Sequence, residues 1–263
     1  KRGYMVDILT GQPNYPDGKF YDGYNFKFSK ESYSGINIIR VPIIPRGANY
    51  LTLSLNYISY SLVASLYILF KKGKYQNIFS VNYSPIISVI PAIIAKIKFR
   101  KKLFVWVQDL WPESVKAIIK KDLKLLNCFL NKLVKIIYSF CDKILISNRG
   151  FQKSITKKNV IKNKIHFMPN WAEDIFDDKE NIDLKKYKNL IPSGFTVMFA
   201  GNLGQAQDLP NILKAIELTE DKINWVFLGS GRKFNWFKNR IDKKKLNHRV
   251  RLLGSYPLSE MPH

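Results

Sequence analysis

The sequence predicts an α/β protein built on parallel sheets, and three observations predict it. Apolar runs in the back half end at Gly201, Gly229 and Gly254 with helix-length stretches between them. That is a β-α-β-α-β rhythm, which calls for parallel strands. The front half alternates short apolar runs with amphipathic stretches in the same way. The 263 residues are 46% hydrophobic, enough to bury one full core or two.

The elements follow in order. Met5 to Thr10 reads as a short strand, and 11–34 as a long polar-aromatic loop, a length usual only where a loop is functional or disordered. Its aromatics suit sugar or lipid head-group contact, or simply pack on one another. Ile36 to Val41 is the next strand. Leu51 to Phe70 is twenty residues without a charge, followed by Lys71, Lys72 and Lys74. Its length permits a membrane span, but its serines, Thr52 and Asn56 favour a buried or interfacial helix. Ile78 to Asn82 is a strand and Ser84-Pro85 opens an apolar helix through Lys98. The apolar strand Leu103 to Val107 ends in Gln108-Asp109, where parallel sheets present ligand-binding groups. Asp109 has a plainer role open to it, capping the helix that Pro112 starts.

Asp122 to Phe140 is a basic amphipathic helix. Leu123, Leu126, Leu130, Leu133, Ile137 and Phe140 share one face, with Lys121, Lys124, Lys132 and Lys135 beside it. This is the pattern of a helix on anionic lipid, or of an ordinary solvated lysine face. Lys143 to Ser147 is a strand, Arg149 to Lys158 a helix, and Ile165 to Pro169 a strand in which His166 reads as a core histidine. The charged stretch that follows has no apolar period and reads as a linker. Thr196 to Ala200 opens the second half and runs into a glycine loop at 201–207. Asp208 is a suitable N-cap and Pro210 a suitable first-turn residue for the next helix. Such a turn aims backbone N–H groups at a phosphate. Asn224 to Leu228 runs into Gly229-Ser230-Gly231-Arg232, and Val250 to Leu253 into Gly254-Ser255-Tyr256. One such glycine would mean only a tight turn; three in register favour a nucleotide or phosphate ligand.

Composition narrows the function. The net charge is +23, and nucleic acid and anionic membrane are the usual partners of so basic a chain, although the abundance of Lys, Asn and Ile also permits compositional drift. Cys128 and Cys141 lack metal or disulfide spacing and read as buried free thiols. There is no GxxxxGK[ST] and no strict GxGxxG followed by an acid, which disfavours a P-loop or nicotinamide enzyme.

Four stretches carry a resemblance: LTGQPNYPDGKFYDGY at 9–24, VWVQDLWPES at 105–114, MPNWAE at 168–173 and FAGNLGQAQDLPNILKAI at 199–216, supported by WVFLGSGRKF at 225–234 and VRLLGSYPLSEM at 250–261. The chain resembles the GT-B glycosyltransferases of family 4, similar to the L-fucosamine-type transferases of bacterial surface polysaccharides. The resemblance implies two Rossmann-like domains with parallel sheets facing a cleft. Residues 1–172 match the acceptor domain without its first strand, 173–193 the linker, and 194–263 the start of the nucleotide-sugar domain. It implies a retaining enzyme that moves a sugar from a nucleotide-sugar, usually a UDP-sugar, to a lipid-linked saccharide at the inner face of the plasma membrane. No metal or other cofactor is implied, because protein groups stabilise the pyrophosphate charge.

Carried over residue by residue, the resemblance puts the donor at Gly201, Asn202, Gly204, Gln207, Gly229, Gly231 and Arg232, with Ser255 and Tyr256 at the nucleobase. Asn202 and Gln207 replace a common arginine and lysine, which leaves Arg232 to supply some of the charge. Gln108 takes the place of a histidine near the reacting sugar, with Asp109 beside it. Asn14, Tyr15, Tyr21 and Tyr24 fall in the acceptor loop, and Asn170 and Glu173 at the turn between domains. The family's paired glutamates would lie beyond His263. The expectation is therefore a fragment cut at both ends that binds donor weakly and turns over little. Two other classes stay open: a basic nucleic-acid-binding protein, though without a recognised motif and with its lysines dispersed, and an inactive membrane-binding module.

Overall fold

The structure, a computed structural model, describes residues 3–15, 18–47, 49–118, 124–172, 174–176, 183, 185–204 and 207–262. It divides into two compact units, Lys1–Asn170 and Trp171–His263.

The first unit opens with β1 (Asp7–Gly11), β2 (Ser29–Tyr33) and β3 (Ile36–Val41). β1 pairs with β3 in parallel, with Leu9 opposite Ile39, while β2 pairs with β3 antiparallel. Thus β2 lies inside the stretch predicted to be a loop. Its sequence, SKESY, has no aliphatic side chain, so nothing in its pattern announces a strand; the free edge of β3 orders it. Helix α1 (Tyr50–Phe70) crosses to a second, four-stranded sheet. The crossover is capped by Asn49, whose side chain accepts from the Thr52 amide at 2.8 Å.

That second sheet is wholly parallel, in the order β4 (Asn77–Asn82), β5 (Lys102–Val107), β6 (Lys143–Ile146), β7 (Ile165–Phe167). Helices α2 (Ile90–Phe99), α3 (Glu113–Ile118), α4 (Lys124–Phe140) and α5 (Phe151–Thr156) lie between the strands in sequence. Leu103, Val105 and Val107 of β5 pack with Val134 and Ile137 of α4 and Ile144 of β6 in one core. β7 stops at Phe167 and is the last strand of its sheet, so His166 is exposed and is not a core residue. Cys141 is buried as predicted, and burial pushes its thiol up to about 12. Cys128 is exposed, because it falls on the outer side of α4.

The predicted lipid face of α4 is mostly its core face. Leu130 and Ile137 are buried with Val134 and Tyr138, and Leu133 packs against the same cluster. Leu123 and Lys121 lie outside the described residues.

The second unit holds the parallel sheet β10-β9-β8, formed by β8 (Thr196–Ala200), β9 (Asn224–Leu228) and β10 (Val250–Gly254). Helices α6 (Leu209–Leu218) and α7 (Phe234–Lys243) connect them. Leu203, Leu209, Leu213 and Ile216 pack with Phe227 and Phe237 in a separate core. Tyr187 belongs to this unit: its hydroxyl donates to Glu260 at 2.6 Å and its ring meets Tyr256 edge-on at 5.4 Å.

Candidate functional site

In the second unit the three glycine turns join at the carboxyl ends of their strands. The Gly201 amide donates to Leu228 O at 2.8 Å, and the Gly229 amide to Gly254 O at 2.6 Å. Leu203 N donates to Ser230 O at 2.8 Å, and Lys233 N to Leu203 O at 3.0 Å. Backbone therefore meets backbone from one turn to the next. At Gly229, φ is +132° and an added Cβ would stand 1.9 Å from Gly201 O, so only glycine lets the first two turns approach this closely.

Leu203, fully buried, pins the first loop into the core from below. Sequence reasoning missed this residue, although an apolar side chain between two loop glycines was its signal. Gly204 donates to Asn202 O at 2.9 Å and to Gln207 Oε1 at 3.2 Å, so Gln207 braces the loop. The Asn202 amide lies against Gly231. Gln205 and Ala206 lie outside the described residues.

Asp208 precedes α6 but does not cap it in the predicted way. It takes a left-handed conformation (φ 47°, ψ 47°), and its carboxylate accepts from Asn211 Nδ2 at 2.6 Å instead of from a helix amide. Arg232 is exposed at the entry to α7, and Lys233 Nζ stands 5.6 Å from the Trp236 ring centre. Ser255 is exposed just past β10, and Tyr256 is half-buried on Tyr187. Glycine backbone, Gln207, Arg232, Ser255 and Tyr256 thus gather at one end of one sheet. Such an end can hold an anion by Arg232 and by backbone N–H groups that do not donate across the turns, and a ring by stacking.

In the first unit the four parallel strands present a polar row at their carboxyl ends. Gln108 N donates to Asn82 O at 2.9 Å, and Gln108 Nε2 donates to Asn170 Oδ1 at 2.9 Å. Two residues singled out for different roles are therefore in contact. Trp106 Nε1 donates to Met168 O at 2.9 Å and holds the 168–170 strand exit beside β5. Asp109 follows; it is exposed on one side, yet the surrounding chain withdraws enough water to raise its pKa. Arg149, which sequence reasoning passed over, joins this edge with its guanidinium 4.2 Å from the Phe167 ring centre. Glu173 lies outside the described residues.

The loop after β1 is ordered by its own bonds. Asn14 is buried: its Nδ2 donates to Gln12 O at 2.9 Å and its Oδ1 accepts from Arg46 N at 2.9 Å. Tyr21 OH donates to Tyr15 O. Tyr15 is exposed, with Arg46 5.0 Å from its ring centre. Tyr24 stacks on Arg40 at 5.1 Å. Asn14 and Tyr24 thus serve the loop itself, whereas Tyr15 and Tyr21 offer exposed ring surface.

Lys124, Lys132 and Lys135 are exposed on α4. Lys135 also lines a surface hollow of about 430 Å³ with Lys153, Lys157 and Lys158. There Lys158 Nζ, almost wholly buried, donates to Glu113 at 2.7 Å. Burial alone raises the Glu113 pKa, but bonds from Lys158 and Ser154 outweigh it and hold the carboxyl below its usual range. Among the described residues no three His, Cys, Asp or Glu side chains are grouped as a metal site.

No family model matches the chain. It is similar to WbjE of Pseudomonas aeruginosa, which is named a glycosyltransferase: 28% identity over 169 residues, covering 60% of this chain and 41% of WbjE. It is also similar to WcaI of Escherichia coli, a glycosyl transferase named for colanic acid biosynthesis: 20% identity, covering 98% of this chain and 64% of WcaI. The chain thus spans between two fifths and two thirds of the length of these relatives. Among solved structures it is similar to Anabaena HepE in complex with UDP, with TM-score 0.60 and 12% identity over 98% of this chain and 71% of HepE. The lipopolysaccharide outer core galactosyltransferase WaaB follows with TM-score 0.50 and 12% identity over 96% of this chain and 68% of WaaB. The fold is therefore of the GT-B class, α/β with parallel Rossmann-like sheets.

Proposed function

We propose that the protein is a glycosyltransferase of bacterial surface-polysaccharide synthesis. It moves a sugar from a UDP-sugar to a lipid-linked saccharide, with retention at the anomeric carbon, at the inner face of the plasma membrane. The observation that carries this reading is the backbone-to-backbone closure of the three turns at Gly201, Gly229 and Gly254. It is supported by the glycosyltransferase names of WbjE and WcaI and by the UDP that HepE holds.

In this reading Arg232, with those turn amides that do not donate across the closure, takes the charge that grows on the departing pyrophosphate, without a metal. Tyr256 and Ser255 face the nucleobase. Gln108, steadied by Asn170, orients the transferring sugar, and Asp109 stands beside it. Tyr15 and Tyr21 stack against the acceptor saccharide. Lys124, Lys132 and Lys135 add attraction to an anionic leaflet, each about 1 kcal/mol near the surface.

Titration calorimetry of the protein with UDP, ADP and UDP-sugars, each with and without EDTA, tests this. The expected result is binding of UDP and a UDP-sugar in preference to ADP, unchanged by EDTA and weakened at least tenfold in Arg232→Ala. Equal binding of UDP and ADP, or none, overturns it.

A further inference from the structure

Helix α1 is apolar on its outer side as well as its inner one. Its 21 residues, about 31 Å long, contain no charge. The side facing the protein packs Ala64, Tyr60, Val63 and Tyr67 against Val41 and Ile43, and it also carries polar groups. Asn56 Nδ2 donates to Ile44 O at 2.6 Å, Ser61 Oγ donates to Ile87 O at 3.1 Å, and Ser65 Oγ is buried without a partner. The side facing out carries Leu51, Leu55, Ile58, Leu62, Leu66 and Leu69, each between 39% and 69% exposed. At 3.6 residues per turn these six fall within an arc of about 80°. Phe70 ends the stripe, 81% exposed. A helix facing water carries charged or polar residues on its outer side instead.

By length and composition α1 could cross a membrane. Its inner side, however, is occupied by β1, β3 and α2, so only the leucine side is open. Cations gather at the far end. Lys98 Nζ donates to the carbonyls of Ile68, Leu69 and Lys71 at 2.9, 2.5 and 2.7 Å, bringing the end of α2 against the end of α1. Lys72, Lys74, Arg100, Lys101 and Lys102 are exposed around this junction.

We propose that α1 lies in the plane of an anionic bilayer, its leucine stripe in the acyl boundary and the cations at its end among the head groups. The charge pattern selects a bilayer over a second copy of the chain. No ionic residue flanks the stripe to set a helix pairing, and two chains of net charge +23 would repel. An anionic leaflet complements both features. The inference deepens the membrane part of the proposed function and does not need the donor site to be correct.

The test is a Leu62→Trp variant with vesicles of phosphatidylglycerol and phosphatidylcholine, with and without brominated acyl chains. The expected result is a blue shift and strong quenching by the brominated lipid. Leu62→Ser/Leu66→Ser should keep its melting temperature within a few degrees and lose at least tenfold in vesicle affinity. Absence of quenching overturns the proposal, as does a Leu62→Ser/Leu66→Ser variant that binds vesicles like the parent. Sedimentation showing a dimer that this double variant splits, with no vesicle binding, also overturns it, in favour of a second copy. Quenching without UDP binding leaves the docking intact and sinks the transferase reading; UDP binding without quenching does the reverse.

Discussion

Gly229→Ala is the sharpest perturbation of the candidate donor site. Two costs add there. Holding alanine at φ +132° costs about 1–3 kcal/mol of backbone strain. Its methyl group would also meet Gly201 O at 1.9 Å, and the shift needed to relieve that adds about 1–3 kcal/mol. The sum is at least about 2 kcal/mol, or roughly 8–16 °C for a unit the size of Trp171–His263. Gly254→Ala is the control. It also has positive φ, +75°, but no atom lies within 4 Å of its added Cβ, so only strain of about 1–2 kcal/mol applies. Hydrogen exchange read by mass spectrometry over 196–204 and 224–233, beside thermal melting, separates the two. Gly229→Ala should loosen both peptides and melt well below Gly254→Ala. Equal melting temperatures and unchanged exchange would refute the argument that the turns close backbone on backbone.

Leu203→Ala should cost about 2–5 kcal/mol in urea unfolding, because Leu203 is fully buried among Leu209, Phe227 and Phe237. A loss under 1 kcal/mol would mean the first loop is held some other way. Glu113→Gln leaves Lys158 buried without its counter-charge, which costs about 1–3 kcal/mol once solvent screening of the half-exposed carboxylate is allowed for. The Glu113 pKa is lowered in the fold, so its stabilisation is present above the ordinary glutamate pKa and fades as pH falls through the folded value. Unfolding curves from pH 7 down to 3 should accordingly converge for parent and Glu113→Gln. In a double-mutant cycle, Gln108→Ala and Asn170→Ala should show a coupling of about 0.5–1.5 kcal/mol, from the single 2.9 Å bond between them.

The sheets were legible because their strands are apolar and end on turn residues. Ile36–Val41, Thr196–Ala200 and Asn224–Leu228 match their predicted ranges. Strand β2 was not legible, because what makes SKESY a strand is the neighbouring edge of β3, a partner no local pattern contains. Asp208 misled for a related reason: an aspartate before a Pro-containing first turn has the right chemistry for a cap, but its left-handed backbone turns the carboxylate to Asn211 instead. The glycine turns were read as a ligand seat from their spacing. Their direct contact, and the Leu203 anchor beneath them, are tertiary facts that spacing alone does not contain. Likewise the Gln108–Asn170 bond joins residues 62 apart in sequence.

The two apolar helices show why amphipathic periodicity misassigns a lipid face. In α4 the regular stripe that includes Leu130 and Ile137 is strong because the core demands it, and the core uses it up. What remains outside is Leu125, 89% exposed, with Phe129 and Ile136, a set the dominant period hides. In α1 no period dominates, because the inner side packs Ala64, Tyr60 and Val63 into the core beside hydrogen-bonded Asn56 and Ser61, while leucines occupy the outer side as well. A lipid-facing surface is therefore the apolar area left after the core has taken its share. That remainder cannot be computed from a helix alone. It needs the sheet underneath, and for α1 it leaves six aliphatic side chains unclaimed by the protein's own interior.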